Sequence, residues 1–190
     1  DMSFPVLGDA VPQRDYGILH PLARSLLNRL GWQITGNLPD VPRMVVAVAP
    51  HTTNWDFFLG IAVLFALNVH GNFLGKHTIF RWPVNHLMRW LGGIPVDRTA
   101  SHGVVGETVS VFRSRDRMLL GVAPEGTRST GAKWKSGFYH IAKQVGVPIV
   151  PVYFDYREKI VALGQPLMPG DNMGADLKIL QDYCARATPR

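Results

Sequence analysis

A histidine and an aspartate stand five residues apart in the stretch VAPHTTNWDFF, which runs from Val48 to Phe58. His51 follows an apolar run that predicts a buried strand, and Asp56 falls in or near the first turn of the helix predicted next. Because the start of a helix brings its side chains back toward the preceding turn, the carboxylate can accept a hydrogen bond from one imidazole nitrogen. The other nitrogen can then take a proton, as a general base does. The pair is a weak signal by itself, because Asp56 could equally cap the helix.

A second polar cluster follows another apolar run that ends in the same three residues, VAP. Its members are Glu125, Gly126, Thr127 and Arg128. Flexible backbone, a hydroxyl and a guanidinium suit a phosphate, although a surface turn with a Glu125–Arg128 ion pair is an alternative. Arg98, at the end of GGIPVDR, could reach the same phosphate or form a surface pair with Asp97. The chain has no GxSxG segment to supply a serine nucleophile, so His51 would act directly on a substrate hydroxyl.

The elements that must position these residues alternate between strand and helix along the chain. Strands are predicted at 44–50, 71–76, 117–124, 147–156 and 159–167, with a short strand or turn at 94–98. Helices are predicted at 20–31, 55–69, 83–93, 103–117, 137–146 and 176–187. This order predicts an α/β fold, a single domain with a mostly parallel central sheet flanked by helices. Ligands of such sheets gather beyond the carboxyl ends of strands, where both His51 and Glu125 fall. The two prolines of VPIVPVYFDY favour an edge position for the strand at 147–156.

Residues 1–43 are expected to form an N-terminal loop and one amphipathic helix, ahead of a catalytic region at 44–190 within the same compact domain. In that helix Leu22, Leu26, Leu27 and Leu30 share one face. Two interpretations stay open, packing against the core or lying on a membrane surface. The longest apolar run, 13 residues at 57–69, is shorter than the roughly 20 residues that span a bilayer.

Composition narrows the classes of function. The net charge of +6 favours anionic partners, but the basic residues are scattered, so nucleic-acid binding is not expected. A single cysteine, Cys184, excludes a disulfide framework and is predicted to be a packing residue. No basic segment precedes an apolar one near the amino terminus, so a signal peptide is not expected. The histidines show no metal-ligand spacing beside cysteines or carboxylates, and no metal site is predicted.

Four segments taken together resemble the glycerolipid acyltransferase family, of the 1-acyl-glycerol-3-phosphate type. In chain order they are HTTNWD (51–56), GIPVDR (93–98), EGTRS (125–129) and VPIVPV (147–152). The resemblance covers roughly residues 44–155, and Lys76 matches a lysine that the family has between its first two segments. Lys135 and Gly137 also stand where the family's stretch after the third segment has them.

The resemblance implies acyl transfer from acyl-CoA or acyl carrier protein to a hydroxyl of a lysophospholipid-like acceptor, above all 1-acyl-glycerol-3-phosphate. His51 would be the general base and Asp56 would orient it. The acceptor phosphate and its loop would be held by Lys76, Arg98, Glu125, Gly126, Thr127 and Arg128. Backbone N–H groups near the first or third segment would stabilise the tetrahedral oxygen. No cofactor is implied, because the acyl thioester is a co-substrate.

The location implied is cytoplasmic, with peripheral association at the inner face of the membrane. The acyl chain would need an apolar groove, walled by residues of 57–69 or 80–91. Three alternatives to this function remain, two that use His51 as the base and one that does not. Another hydroxyl compound could be the acceptor, or water could replace it, which would make the protein an acyl-thioester hydrolase. A lipid-binding module without catalysis would not need the histidine.

Overall fold

Seven strands and six α-helices make up the part of the chain that the computed structural model describes, residues 4–97, 103–126 and 133–189. The strands are β1 (Gln33–Thr35), β2 (Arg43–Val48), β3 (Gly71–Lys76), β4 (Gly93–Val96), β5 (Met118–Val122), β6 (Ile149–Asp155) and β7 (Ile160–Leu163). The helices are α1 (Leu19–Leu30), α2 (Asn54–Leu67), α3 (Asn85–Trp90), α4 (Gly103–Arg113), α5 (Gly137–Val145) and α6 (Met173–Cys184). A short 3-10 helix covers His77–Ile79.

The strands form one sheet in the order β1-β7-β6-β2-β5-β3-β4. Every neighbouring pair is parallel except β6 and β7, which are antiparallel. The predicted α/β fold with a mostly parallel sheet is therefore confirmed. Because β2 and β5 are adjacent and parallel, the residues that follow them meet at one edge of the sheet.

Strand β2 shows how the sheet separates two layers of core. Met44 and Val46 pack in the cluster that also holds residues of α1 and α2. Val45 and Ala47 point the other way, into the cluster with α4, α5 and α6. Successive side chains of a strand alternate between its faces, so a continuous apolar run is what a strand covered on both sides requires.

Helix α1 splits the leucine face that the sequence predicts. Leu27 is 1% exposed and lies in the core, whereas Leu22, Leu26 and Leu30 are 56%, 51% and 50% exposed. Core packing is thus correct for Leu27 alone. The helix ends as predicted at Gly31, whose φ of 78° is the left-handed conformation that glycine adopts without strain. No helix in the described ranges has the length and apolar character needed to cross a bilayer.

The structure differs from the sequence prediction in several elements, including α4, which ends at Arg113 ahead of the predicted 117, and β7, which ends at Leu163 ahead of the predicted 167. Strand β1 was not predicted, because three residues are too few to show a period. Helix α6 begins at Met173, ahead of the predicted 176. Strand β6 lies inside the sheet, so the expected edge position is wrong. The Pro151 carbonyl accepts the N–H of Gly164, one residue beyond the end of β7. Since the N–H and C=O of a strand residue point to the same side, the N–H that proline lacks would also face this position, where no hydrogen bond within β7 is lost.

Candidate active site

His51 and Asp56 lie together at the carboxyl end of β2. Nδ1 of His51 is 3.4 Å from Oδ2 of Asp56. This exceeds the roughly 2.7–3.2 Å of a good N–H···O hydrogen bond, but such catalytic contacts often tighten only when substrate binds. The imidazole is 25% exposed and the carboxylate 1%. The orientation directs Nδ1 toward Asp56 and leaves Nε2 as the nitrogen for a substrate.

Backbone and side-chain donors hold the Asp56 carboxylate in place. Its Oδ2 accepts the N–H groups of Thr52 and Thr53, at 2.8 Å and 3.0 Å. Its Oδ1 accepts the hydroxyl of Tyr156 at 2.5 Å. Asp56 therefore also caps the start of α2, and this capping is compatible with the predicted orienting role.

Tyr156 is a site residue that the sequence pattern missed, because 100 positions separate it from Asp56. Its ring packs edge-on against Trp32 at a centroid distance of 5.2 Å. The turn that carries it is fixed by Asp155, whose carboxylate accepts the N–H groups of Arg157, Glu158 and Thr188. Burial would raise the pKa of Asp155, but these hydrogen bonds outweigh burial and lower the pKa below its ordinary value.

Glu125 lies at the same edge, just beyond β5, and is 5% exposed. Its Oε2 accepts the backbone N–H of His51 at 3.0 Å, which ties the loop after β5 to the loop after β2. The sequence expectation gave Glu125 a role in substrate binding, whereas this contact is with the protein. The N–H groups of His51, Thr52 and Thr53 all bond to carboxylates, so these three amides are not oriented to donate to a substrate oxygen.

A largely apolar cavity of about 550 Å³ opens beside the pair, and both His51 and Asp56 line it. Residues of α2 form much of its wall, including Phe57, Gly60, Ile61, Leu64 and Leu67. The groove predicted at 57–69 therefore lies in the cavity lining, while no residue of 80–91 does. The cavity has the size of small-molecule sites, roughly 300–1,000 Å³, with few polar groups at one end.

Lys135 is a cationic side chain in the lining of this cavity. Its N–H donates to the Pro124 carbonyl, and its side chain passes so close to Gly126 that an added Cβ there would lie 2.9 Å from Lys135 Cε. Gly126 also has a φ of 64°, which favours glycine. Of the other predicted residues, Arg98, Thr127 and Arg128 lie outside the described residues. Lys76 ends β3, but its side chain is likewise outside the described part.

Cys184, at the end of α6, is 3% exposed. Its thiol donates to the Val152 carbonyl, with an Sγ to O distance of 3.7 Å. Burial raises the pKa of this thiol to about 12, so it stays protonated at neutral pH. The predicted packing role is confirmed.

Comparison with known proteins gives a consistent result. The family model described as Acyltransferase matches residues 33–155. The 1-acyl-sn-glycerol-3-phosphate acyltransferase of Escherichia coli (strain K12) is 33% identical over 114 residues, which are 56% of this chain and 45% of that protein. The protein of the same description from Streptococcus pneumoniae (strain ATCC BAA-255 / R6) is 30% identical over 145 residues, 69% of this chain and 52% of its own length. The chain spans about half the length of these curated relatives.

One solved structure shares the fold. The 1-acyl-sn-glycerophosphate (LPA) acyltransferase PlsC from Thermotoga maritima superposes with a TM-score of 0.62, covering 88% of this chain and 76% of that one. The two sequences are 20% identical, so the likeness speaks for the architecture alone.

Proposed function

The chain belongs to the Acyltransferase family, the glycerolipid family that its four segments resemble, and from this premise we propose that it transfers an acyl group from an acyl thioester to the hydroxyl of a lysophospholipid-like acceptor. The preferred acceptor is 1-acyl-glycerol-3-phosphate, the substrate after which these relatives are named. The observation that carries the proposal is the His51–Asp56 pair, which lies 3.4 Å apart in the lining of an apolar cavity.

In the proposed reaction His51 acts through Nε2. Its Nδ1 faces Asp56, and with the hydrogen on Nδ1 in this reaction, Nε2 accepts the proton of the acceptor hydroxyl as that oxygen attacks the thioester carbon. The C–S bond of the tetrahedral intermediate then breaks, and Nε2 returns the proton to the departing thiolate. The products are the acylated acceptor and the free thiol of coenzyme A or the carrier protein.

The apolar cavity accommodates the acyl chain in this proposal. Residues of α2 and of β2 line it together with His51. Removing an acyl chain from water is favourable by roughly 0.8 kcal/mol for each methylene buried, so this cavity would supply much of the affinity for the donor.

The acceptor phosphate requires cations near His51. Lys135 lines the same cavity and is the described residue that best fits this role. Lys76, Arg98, Thr127 and Arg128 remain proposed partners from the sequence, together with the backbone around Gly126. Arginine binds phosphate through paired N–H donors, which suits the third segment.

We further propose that the protein works at a membrane surface, where such acceptors reside. The exposed leucines of α1 form an apolar stripe, since Leu22, Leu26 and Leu30 are each at least half exposed. A helix with a stripe of this kind can lie in the interface between lipid and water.

The decisive experiment is incubation of the protein with acyl-CoA and 1-acyl-glycerol-3-phosphate, with the products identified by mass. We expect the acceptor to gain one acyl group. The His51→Ala variant should lose about 10²–10⁴ in kcat, the usual contribution of a general base. Release of free fatty acid whatever acceptor is present would instead identify a hydrolase. Full activity of His51→Ala would refute the catalytic role of the histidine.

A further inference from the structure

A second concave site lies at the opposite edge of the sheet from His51. It is a cleft of about 390 Å³ at the amino ends of β3, β4 and β5. We call it the basic cleft, and its lining is His70, Asn72, Arg89, Gly92, Gly93, Ile94, Arg115 and Arg117. Strand β5 has five residues, so about 17 Å of strand separates this cleft from the other edge, at about 3.3 Å per residue.

Three arginines line the basic cleft, and neutral acceptors hold the guanidinium group of each. Arg115 donates from Nη1 to Oδ1 of Asn72 at 3.4 Å. Arg89 donates from Nε to Oδ1 of Asn85 at 2.9 Å, and Arg117 from Nη1 to the carbonyl of Asp9 at 2.8 Å. Each contact uses one nitrogen of a group with five N–H donors.

Within the described residues, none of these three arginines forms an ion pair with a carboxylate within 4 Å. Asp9 meets Arg117 only through its backbone carbonyl, and the carboxylate of Asp15 accepts the N–H of Gly17. Asp116, between two of the arginines, is exposed and makes no such pair. Like charges that converge on one concavity repel each other, so an anion bound there lowers the free energy of the folded state.

The remaining polar groups of the basic cleft fit the same ligand. Asn72 is 7% exposed and donates to the Gly92 carbonyl at 3.0 Å, which fixes the amide that orients Arg115. Burial lowers the pKa of His70, and the charges of Arg14 and Arg115 lower it further. The imidazole therefore stays neutral at pH 7, so it can donate one hydrogen bond without charge.

We propose that the basic cleft binds a ligand through a phosphate group, held by Arg89, Arg115 and Arg117 and separate from the acyl-transfer site. Arginine is the residue best suited to paired contacts with phosphate oxygens. The phosphate belongs either to a soluble compound or to a lipid headgroup, two sources with the same chemistry at the point of contact. The proposal does not depend on the activity at His51, because the two sites occupy opposite edges of the sheet.

The test is calorimetric titration of the full chain with inorganic pyrophosphate. We expect saturable binding at one site per chain that depends on Arg89 and Arg115, distinct from any binding at the cations proposed to hold the acceptor phosphate near His51. Arg115→Gln and Arg89→Gln should each weaken it about tenfold or more, because each removes hydrogen bonds made by a charged group. The matched control is Arg113→Gln, which removes an exposed arginine on α4 that contacts the Gln144 carbonyl instead. The His51→Ala variant should bind pyrophosphate as the unmodified chain does.

Absence of saturable binding to the unmodified chain would overturn the proposal, as would unchanged affinity in both arginine variants. Should Arg115→Gln fail to fold, Arg89→Gln decides, because Arg89 is exposed on α3. A second arm measures sedimentation with phosphatidylcholine vesicles, with and without phosphatidylglycerol. A pyrophosphate-sensitive gain on the anionic vesicles, lost in the arginine variants, supports a lipid headgroup as the source. If the arginine variants bind vesicles as the unmodified chain does but lose pyrophosphate binding, the result supports a soluble phosphate compound as the source.

Discussion

Two carboxylates organise the residues around His51, and they do so differently. The Asp56 carboxylate lies near Nδ1 of the imidazole, whereas the Glu125 carboxylate accepts the backbone N–H of the same residue. Both are at least 95% buried. A buried carboxylate is costly unless donors satisfy it, so the loop after β2 supplies amide donors to both. The histidine is thereby fixed at its side chain and at its main chain.

The bond between Glu125 and His51 leads to a prediction about two substitutions. Glu125→Gln can still accept the His51 N–H through its amide oxygen, so most of kcat should remain. Glu125→Ala removes the acceptor, leaves a buried N–H without a partner, and should cost about 1–3 kcal/mol of stability together with most of kcat. Steady-state kinetics and thermal melts measure both effects. A similar rise in KM for the acceptor in both variants would instead show that the carboxylate binds substrate.

Tyr156 is predicted to position Asp56 without touching the substrate. In Tyr156→Phe the carboxylate loses one hydrogen bond, and we expect kcat to fall about tenfold while KM stays close to its original value. Tyr153→Phe is the control, because that ring lies on β6 and packs against Tyr183 of α6. Equal losses of kcat in the two variants would contradict a specific role for Tyr156.

At the level of elements, α2 combines two requirements within one helix. Its start holds Asp56 in a capping arrangement, and its middle turns line the cavity. Gly60 stands in those turns, where glycine costs roughly 1 kcal/mol relative to alanine. An added Cβ would meet only Phe154 Cζ, at an ordinary 3.9 Å, so packing does not require glycine there.

Gly60 therefore gives a prediction that separates stability from chain-length preference. Gly60→Ala should raise the free energy of unfolding by up to about 1 kcal/mol and leave activity with long acyl donors largely intact. Gly60→Leu should place its side chain in the cavity and reduce activity with long donors more than with short ones. Thermal melts and assays over a series of acyl-CoA lengths test this. An unchanged length profile in Gly60→Leu would show that the acyl chain lies elsewhere.

The sequence predicted most elements because their signals are local. The apolar run of β2 and the leucine periodicity of α1 each lie within one segment, and the other strands and helices follow the same kind of local pattern. Strand β1 could not be predicted, since it exists through its pairing with β7, more than a hundred positions away. Tyr156 was missed for the same reason, because only the folded sheet brings it to Asp56. Glu125 was found by its motif, but its partner depends on β2 and β5 being neighbours.

At the level of the whole molecule, polar and apolar surfaces occupy different parts of the domain. The carboxyl edge of the sheet carries His51 and the apolar cavity, and the amino edge carries the basic cleft. Helix α1, which packs against α2, carries the exposed leucines. This distribution places a predicted lipid-facing surface, the proposed reaction site and the proposed anion site on different parts of one domain.

The exposed stripe of α1 gives a prediction for membrane binding. A Leu22→Ser, Leu26→Ser double variant should sediment less with phosphatidylcholine vesicles, because it removes apolar surface worth about 25 cal/mol per Å². Its melting temperature should change little, since neither leucine is buried. Ile179→Ser, which alters an exposed apolar residue on α6, is the control and should sediment as the unmodified chain does. Unchanged sedimentation of the double variant would exclude this face.

The bond from His51 to Glu125 also joins the ends of the two central strands. Ala47 pairs with Val122, the last residue of β5, and the chain then continues only a few residues beyond each position to His51 and Glu125. A slip of one residue between the strands would turn Glu125 to the other face of the sheet and break the link. During refolding from denaturant, activity should therefore return only in molecules whose central strands have reached their native register. The recovery of product formation with refolding time would then report on that step.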